Sequence, residues 1–295
     1  MTPNDRYRAN LAALHLLPEL HLGQALTSDE QSQLRLYEGW ADGRVRAFGY
    51  DSAGTAKPEL MGALEPLGVK PEPLVNAGGL SAYFTPPAVA AAVWEMGLSA
   101  LGRIPMMVLE PSAGNGRFMS SMPETVKHYF QVSKRAEAWA STRSTFIAIE
   151  PDPIYSRILS HLYSEPQGPW KVRATTLEKA GLVEPTFDLI VGNAPFGDWG
   201  VSDSNCPASL RHRHLQSKVH DYFLCKAVSL LLPGGVCAMI THRSTLDREG
   251  VGVREWLAAR SELVGAWRLP AELWSDQGAA PVADVLVLRR NSARV

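Results

Sequence analysis

The sequence predicts an α/β fold: a mostly parallel sheet of seven strands covered by helices, behind a helical N-terminal segment. Short apolar runs rich in β-branched residues alternate with stretches of helical periodicity over most of the chain. This alternation is typical of a parallel sheet with helices on both faces. The last two apolar runs leave no room for a full crossover helix, so we expect an antiparallel edge strand there.

The first part of the chain, 8–64, is predicted to be helical. The segment NLAALHLL has apolar residues at helical spacing, and Thr27 or Ser28 can cap a following helix whose first turn contains Glu30. A Gly- and Pro-rich stretch then indicates a linker. We therefore predict a helical extension with its linker at 1–75 and a second domain at 76–295.

The strands of this second domain follow from their short apolar runs. Helices are predicted to fill most of the gaps, notably at 86–101 and 217–232. In such sheets, ligands bind beyond the carboxyl ends of the strands. The predicted strands lie near 106–110, 145–149, 171–175, 187–192, 235–241, 262–267 and 283–289.

The composition excludes several classes of protein. Hydrophobic residues make up 45% and charged residues 20%, the net charge is −1, and no apolar run could form a signal core or cross a bilayer. Any nucleic-acid-binding surface must therefore be a local patch. Cys206, Cys225 and Cys237 have neither zinc-site spacing nor an even number, and we expect buried, inert thiols at Cys225 and Cys237. We expect a soluble cytoplasmic protein without a metal and without a membrane partner.

The segment MMVLEPSAGNGRFM at 106–119 predicts a strand, a glycine-containing turn and a helix. Gly114 and Gly116 allow a sharp bend and a close approach of a ligand to the backbone. The dinucleotide fingerprint is excluded, because Met119 stands where its third glycine would be. Glu110 at the strand end would repel a phosphate but suits a cationic ligand. An ordinary turn with two glycines is the alternative.

The next strand ends in FIAIEPDP and places Glu150 where such sheets hold an acid for ribose hydroxyls. An Asp-Pro turn is the plainer alternative. A cofactor with a ribose and a positive charge but no phosphate fits S-adenosylmethionine. Upstream, SAYFTPPAVAAAVW at 81–94 offers an aromatic pair and Thr85 ahead of a helix, although an ordinary helix start explains it equally well.

The stretch FDLIVGNAPFGDW at 187–199 starts as a buried strand and ends in an amide, a proline and an aromatic ring. The exocyclic amine of adenine is a poor nucleophile, because its lone pair is conjugated into the ring. The side-chain carbonyl of Asn193 and the peptide carbonyl of Ala194 could accept its two hydrogens, and Pro195 would fix their geometry. Phe196 could stack on a flipped base. A simple turn after a strand is the alternative.

In this order, FTPP, LEPSAGNGRF, AIEPD and NAPF resemble the motifs of amino-group DNA methyltransferases, in the gamma arrangement of adenine methylases. A closer resemblance covers nearly the whole chain. It is to the methyltransferase portion of large phage and plasmid antirestriction-type proteins that fuse a methylase to a helicase, and it includes VHDYFLCKAVSLLLPGGVCAMIT and PVADVLVLRR. The resemblance implies a Rossmann-like class I S-adenosylmethionine-dependent fold and N6-methylation of adenine in DNA with base flipping.

The same resemblance implies roles for particular residues. Catalysis is implied for Asn193, Ala194, Pro195 and Phe196. The third strand lacks the usual adenine-binding Asp, so Thr176 or Glu178 would have to serve. The implied cofactor contacts are Tyr83, Phe84, Thr85, Glu110, Pro111, Ala113, Gly114, Gly116, Phe118, Glu150, Pro151, Thr176 and Asn193.

The substrate is less constrained. Ala194 replaces a proline found in many relatives, and we recognise neither a helicase nor a target-recognition domain, so we expect DNA and a recognition or helicase protein as partners. Arg211, Arg213 and Lys218 could clamp a nucleic-acid backbone, or lie in a solvated loop. Methylation of RNA adenine or of a protein glutamine, and a non-catalytic DNA-docking module, are the alternative functions.

Overall fold

The computed structural model describes residues 1–40, 42–71, 84–135, 144–163, 168–277 and 282–292. All seven predicted strands are present and form one sheet, so the predicted α/β architecture is confirmed. The strands are β1 Met107–Glu110, β2 Thr145–Ile149, β3 Trp170–Arg173, β4 Phe187–Asn193, β5 Leu231–His242, β6 Ser261–Leu269 and β7 Ala283–Arg290.

The strand order is β3-β2-β1-β4-β5-β7-β6. β7 runs antiparallel to β5 and β6, and the other neighbouring pairs are parallel. The predicted antiparallel pair is thus present, with β7 one place inside the edge and β6 outermost. The burial explains this order, because β7 is buried along most of its length whereas β6 is largely exposed.

The helices agree with the predicted pattern. Those predicted at 86–101 and 217–232 correspond to Pro87–Leu101 and Val219–Leu230, and the described part of the N-terminal segment contains four α-helices. Thr27 caps the helix Ser28–Arg35 through a reciprocal capping box with Glu30. The described α-helices are α1 Pro3–Leu16, α2 Ser28–Arg35, α3 Gly43–Gly49, α4 Pro58–Leu64, α5 Pro87–Leu101, α6 Arg117–Ser120, α7 Glu124–Arg135, α8 Pro153–Tyr163, α9 Arg213–Gln216, α10 Val219–Leu230, α11 Ser244–Asp247 and α12 Gly252–Ala258.

Both faces of the sheet are buried. Alternate residues of one strand point to opposite faces. Leu109 therefore packs in a hydrophobic cluster with α10 and α12, whereas Val108 packs in a second cluster with α5. The three cysteines are free and buried, and burial raises the pKa of the Cys225 thiol well above its usual value.

A third hydrophobic cluster joins the N-terminal helices to α8. It contains Leu14 and Trp40 from the N-terminal part and Ile154, Tyr155 and Ile158 from α8. Most of the predicted linker, from residue 72 onwards, lies outside the described residues. In the described ranges, no helix has both the length and the apolar character that crossing a bilayer requires.

Asp188 ties the two central strands together at their amino ends. Its Oδ2 accepts N–H bonds of 2.9 Å from both Met106 and Met107, and its Oδ1 pairs with Arg103. Asp188 is buried in β4, and its two backbone donors lie at the start of β1. These bonds fix the relative position of the strands whose opposite ends form the site described below.

We predict that Asp188→Ala lowers the free energy of unfolding by about 1–3 kcal/mol, because two backbone N–H groups lose their acceptor. Arg103→Ala should cost less than about 1 kcal/mol, since the arginine side chain is half exposed at 51%. Urea unfolding of both variants measures the difference. Equal decreases in the free energy of unfolding would show that the ion pair, rather than the backbone hydrogen bonds, stabilises the protein at this point.

Candidate functional site

Three polar side chains meet at the carboxyl edge of the sheet. Glu110 ends β1, Glu150 follows β2, and Asn193 ends β4. Because β2, β1 and β4 are adjacent and parallel, their ends point into the same space. All three residues line one cavity of about 780 Å³. The sheet thus brings together residues that are far apart in the sequence.

The two glycines of the loop after β1 have different environments. Both have positive φ angles, 53° at Gly114 and 77° at Gly116. Gly114 lines the cavity and lies close to the Phe84 ring. A Cβ on Gly116 would lie 2.5 Å from a methyl carbon of Leu159 on α8. Gly116 does not line the cavity and serves the packing of α6 against α8.

The two carboxyl groups in the cavity are almost completely buried. Burial, with a further contribution from the nearby Glu150, raises the pKa of Glu110 well above its usual value. Among the described residues neither carboxyl oxygen makes a hydrogen bond of normal geometry, and the backbone N–H of Phe118 offsets only part of the burial. Burial also raises the pKa of Glu150 to about 7, although its oxygens accept N–H bonds from Gly114 (2.6 Å) and Asp152 (2.8 Å). A cationic ligand with hydroxyl groups would relieve both costs.

The stretch after β4 is fixed by backbone hydrogen bonds. The peptide oxygen of Asn193 accepts a bond of 2.7 Å from the Ser112 hydroxyl, and the N–H of Ala194 donates to Ile240 at 2.9 Å. A proline at position 194 would remove the second bond. Asn193, Ala194 and Pro195 line the same cavity as Glu110 and Glu150.

Phe196, which was expected to stack on a base, is not at the cavity wall. Its side chain is 8% exposed and packs in the cluster beneath α5. The ring makes an edge-to-face contact with His242, with 5.8 Å between centroids. In this arrangement its faces are covered by the protein itself.

The segment 197–218 is packed against α10. Asp203 is buried and accepts hydrogen bonds from Lys226 at 2.8 Å and Tyr222 at 2.7 Å. The basic residues predicted to grip substrate lie outside the cavity: Lys218 pairs with Asp198, and Arg211 donates to a backbone carbonyl. Arg213 is exposed at the start of α9.

Most of the predicted cofactor and catalytic residues line the cavity. Gly116, Phe196, Arg211, Arg213 and Lys218 do not, and Tyr83 lies outside the described residues. The predicted residues at the cavity wall are Phe84, Thr85, Glu110, Pro111, Ala113, Gly114, Phe118, Glu150, Pro151, Thr176, Asn193, Ala194 and Pro195, together with Glu178.

Sequence reasoning missed one wall of the cavity. Tyr37, Gly39 and Trp40 of the N-terminal part line it, beside Tyr155 of α8. The buried amide of Asn10 holds this segment in place. Its N–H donates a bond of 2.6 Å to the carbonyl of Gly39, and its oxygen accepts a bond from the backbone N–H of Glu38. No local pattern connects these residues to the glycine loop, because their contact depends on the fold.

Trp199 was also missed, although it lies within the stretch that drew attention to Asn193. It lines the cavity and is 42% exposed. Its sequence signal is the second aromatic residue after the strand. Within the described part of the chain, no group of three or more His, Cys, Asp or Glu side chains is arranged to hold a metal ion.

No protein-family model matches the chain. Over 221 residues, 74% of this chain, the sequence is 26% identical to the Defense against restriction protein B of Escherichia phage P1. That stretch is 9% of the phage protein, so the chain spans only a small part of this relative.

Solved structures resemble the fold over most of the chain. A Listeria monocytogenes protein assigned to the class I S-adenosylmethionine-dependent methyltransferases has a TM-score of 0.51 at 14% identity, covering 99% of this chain and 90% of its own. The methyltransferase subunit of a type I restriction-modification system from Streptococcus thermophilus has a TM-score of 0.55 at 16% identity, covering 79% of this chain and 53% of its own. The EcoKI M protein has a TM-score of 0.52 at 16% identity, covering 98% of this chain and 62% of its own. The chain therefore has the class I S-adenosylmethionine-dependent methyltransferase fold, as predicted.

We predict that Glu110→Gln stabilises the ligand-free chain at pH 8 and has little effect at pH 4. Below the usual pKa of 4.5 the carboxyl is protonated in both the folded and the unfolded chain. As the pH rises, the unfolded chain releases this proton first and gains stability relative to the folded chain. The glutamine side chain does not ionise, so the variant does not lose stability in this way as the pH rises.

Urea unfolding of both proteins between pH 4 and 8 measures the effect. Glu124→Gln is the matched control, since that side chain is 87% exposed. Parallel pH profiles for the wild type and Glu110→Gln would contradict the burial of a titrating carboxyl.

Proposed function

We propose that the chain is an S-adenosylmethionine-dependent methyltransferase that methylates the exocyclic amino group of adenine in DNA. One observation carries the proposal: Glu110, Glu150 and the Asn193-Ala194-Pro195 stretch line the same cavity. A site for a cationic, ribose-containing cofactor and a pair of carbonyl acceptors for an amino group are thus neighbours. Methyl transfer between the two ligands requires this proximity.

The cavity residues fit the cofactor. Both carboxyl oxygens of Glu110 are buried, the backbone N–H of Phe118 offsets only part of this burial, and a positive charge would compensate the ionised form. Glu150 is held by two backbone N–H groups and can accept further bonds from ribose hydroxyls. Gly114 leaves room for a ligand against the loop. When bound, S-adenosylmethionine supplies an electrophilic methyl group.

The Asn193–Ala194 side of the cavity, here called the acceptor side, positions the amino group of the substrate. Asn193 presents a side-chain carbonyl, and the peptide carbonyl of Ala194 follows it along the same edge of the cavity. Two acceptors on the hydrogens of an amino group favour a tetrahedral nitrogen whose lone pair points away from them. The bonds to Ser112 and Ile240 hold the backbone in place before substrate arrives. Fixed acceptors of this kind lower the barrier without acid–base chemistry.

DNA adenine is favoured over other amino groups by the motif order and by the relatives. The phage P1 protein is named for defence against restriction, and two of the solved structures are subunits of type I restriction-modification enzymes. A target in DNA, and a larger protein or a partner that selects it, are consistent with these names. Labelled methyl transfer to DNA, RNA and bulk protein separates this proposal from the RNA, glutamine and non-catalytic alternatives.

We also propose that residues 1–75 are a helical extension with its linker and that residues 76–295 are the methyltransferase domain. The N-terminal helices pack on this domain, since they share one hydrophobic cluster with Ile154, Tyr155 and Ile158 of α8. They also supply Tyr37 and Trp40 to the cavity wall and Glu38 to an ion pair of 3.4 Å with Arg117, the residue after the glycine loop. A chain without its first 75 residues should therefore lose the cofactor site.

We predict that Glu150→Ala weakens S-adenosylmethionine binding at least tenfold, about 1.4 kcal/mol, because the ribose loses its carboxylate acceptor. Titration calorimetry measures the affinity, and Glu124→Ala serves as an exposed control. Unchanged affinity in a folded Glu150→Ala protein, or tighter binding of NAD by the wild type, would refute the cofactor assignment.

Asn193→Ala should lower methyl transfer to DNA by at least about a hundredfold, as expected for loss of a fixed polar group in a transition state. The resemblance also implies a cofactor contact for Asn193, but cofactor affinity should stay close to that of the wild type, since the Glu110 and Glu150 carboxyls are retained. Single-turnover methylation measures the rate of methyl transfer, and calorimetry on the same preparation measures the cofactor affinity. Persistent methylation would exclude Asn193 as an acceptor.

A further inference from the structure

The ring expected to receive a flipped base is buried, whereas a second ring at the cavity is open. Phe196 is 8% exposed and packs against His242. Trp199, three residues later, lines the cavity and is 42% exposed. A side chain that both lines a cavity and contacts solvent lies at the cavity's mouth.

Trp199 is held against its own backbone. A Cβ on Gly197 would lie 1.7–2.4 Å from three carbons of the six-membered indole ring, so any other residue at 197 would displace the ring. The following residues are also fixed: a Cβ on Gly200 would lie 2.8 Å from the carbonyl of Gln216, and Val201 donates 2.8 Å to that same carbonyl. The indole is therefore presented in one place.

The rest of this segment is anchored at two further points. Lys218 pairs with Asp198, the residue immediately before Trp199, at 2.5 Å. Deeper in the protein, Asp203 joins Lys226 and Tyr222 of α10, and all three side chains are buried. A buried ion pair of this kind cannot open without leaving an unpaired charge. The segment is a rigid support for the indole.

We propose that Trp199 is the stacking surface for the acceptor group, and that this group is an unstacked nucleobase rather than an aliphatic amide. This rests on the proposed function. An exposed indole on the wall of the cavity that Asn193 also lines offers a planar apolar surface, which every nucleobase matches. A glutamine side chain has no ring to stack. Trp199 is thus a substrate-positioning residue, and Phe196 supports the backbone from beneath.

The test compares full-length Trp199→Ala, Trp199→Phe and Gly197→Ala. Trp267 offers a matched control, because it is 43% exposed, lies outside the cavity and also packs on a glycine two residues earlier, Gly265. The probes are genomic DNA for methyl transfer, single-stranded oligo(dA) for binding, and S-adenosylmethionine for cofactor affinity.

Trp199→Ala and Gly197→Ala should each raise the KM for DNA by about tenfold or more, with cofactor affinity within twofold of the wild type. Trp199→Phe should restore most of the loss, and Trp267→Ala should match the wild type. Oligo(dA) should quench tryptophan emission in the wild type and in Trp267→Phe, but much less in Trp199→Phe.

Two outcomes overturn the inference while the proposed function stands. One is a Trp199→Ala enzyme with wild-type KM for DNA and equal quenching in the Trp199→Phe protein. The other is a loss of cofactor affinity with unchanged KM, which would make the indole a wall of the cofactor site. A wild-type protein that transfers methyl groups only to protein, or to nothing, and does not bind oligo(dA) refutes the proposed function and the inference with it.

Discussion

The burial of two carboxyl groups at the ends of adjacent parallel strands is the constraint on which the site depends. Burial raises the pKa of both groups, the nearby Glu150 raises that of Glu110 further, and backbone N–H groups of Phe118, Gly114 and Asp152 compensate only in part. A fold without a ligand gains nothing from this arrangement. A positively charged, hydroxyl-rich ligand could offset the free energy of burying both carboxyl groups at once. The Asp188 tie at the far end of β1 and β4 keeps these costly ends aligned.

The cavity also depends on contacts that cross the chain. Glu38 links the N-terminal part to Arg117, and Asn10 fixes the backbone beside Trp40. Tyr37 packs edge-to-face on Tyr155, which in turn contacts Phe84 next to Gly114. A helical segment that looked like a separate extension in the sequence therefore forms one wall of the site. Its packing is linked to the glycine loop through these aromatic contacts.

The sheet and its polar ends were predictable because their signals are local. Strand periodicity marked all seven strands, and the glycine loop, Glu150 and Asn193 each follow a strand in the sequence. Packing across the chain has no such signal. Gly116 has the pattern of a ligand-binding glycine, yet Leu159 decides its role. Phe196 fits a stacking motif, but the contact with His242 covers it, and the position of β7 inside the edge follows from the relative burial of β6 and β7.

The two sides of the cavity differ in what they lack. The cofactor side is incomplete in charge, since Glu110 has no partner of opposite sign in the described structure. On the acceptor side the backbone is already held by its bonds to Ser112 and Ile240, and the buried Asp203–Lys226 pair anchors the segment that follows. Ligand binding on the first side would therefore change the protonation of the protein, whereas the second side is preorganised. The proposed substrate would therefore meet a backbone whose geometry is fixed before it binds, which lowers the entropic cost of positioning it.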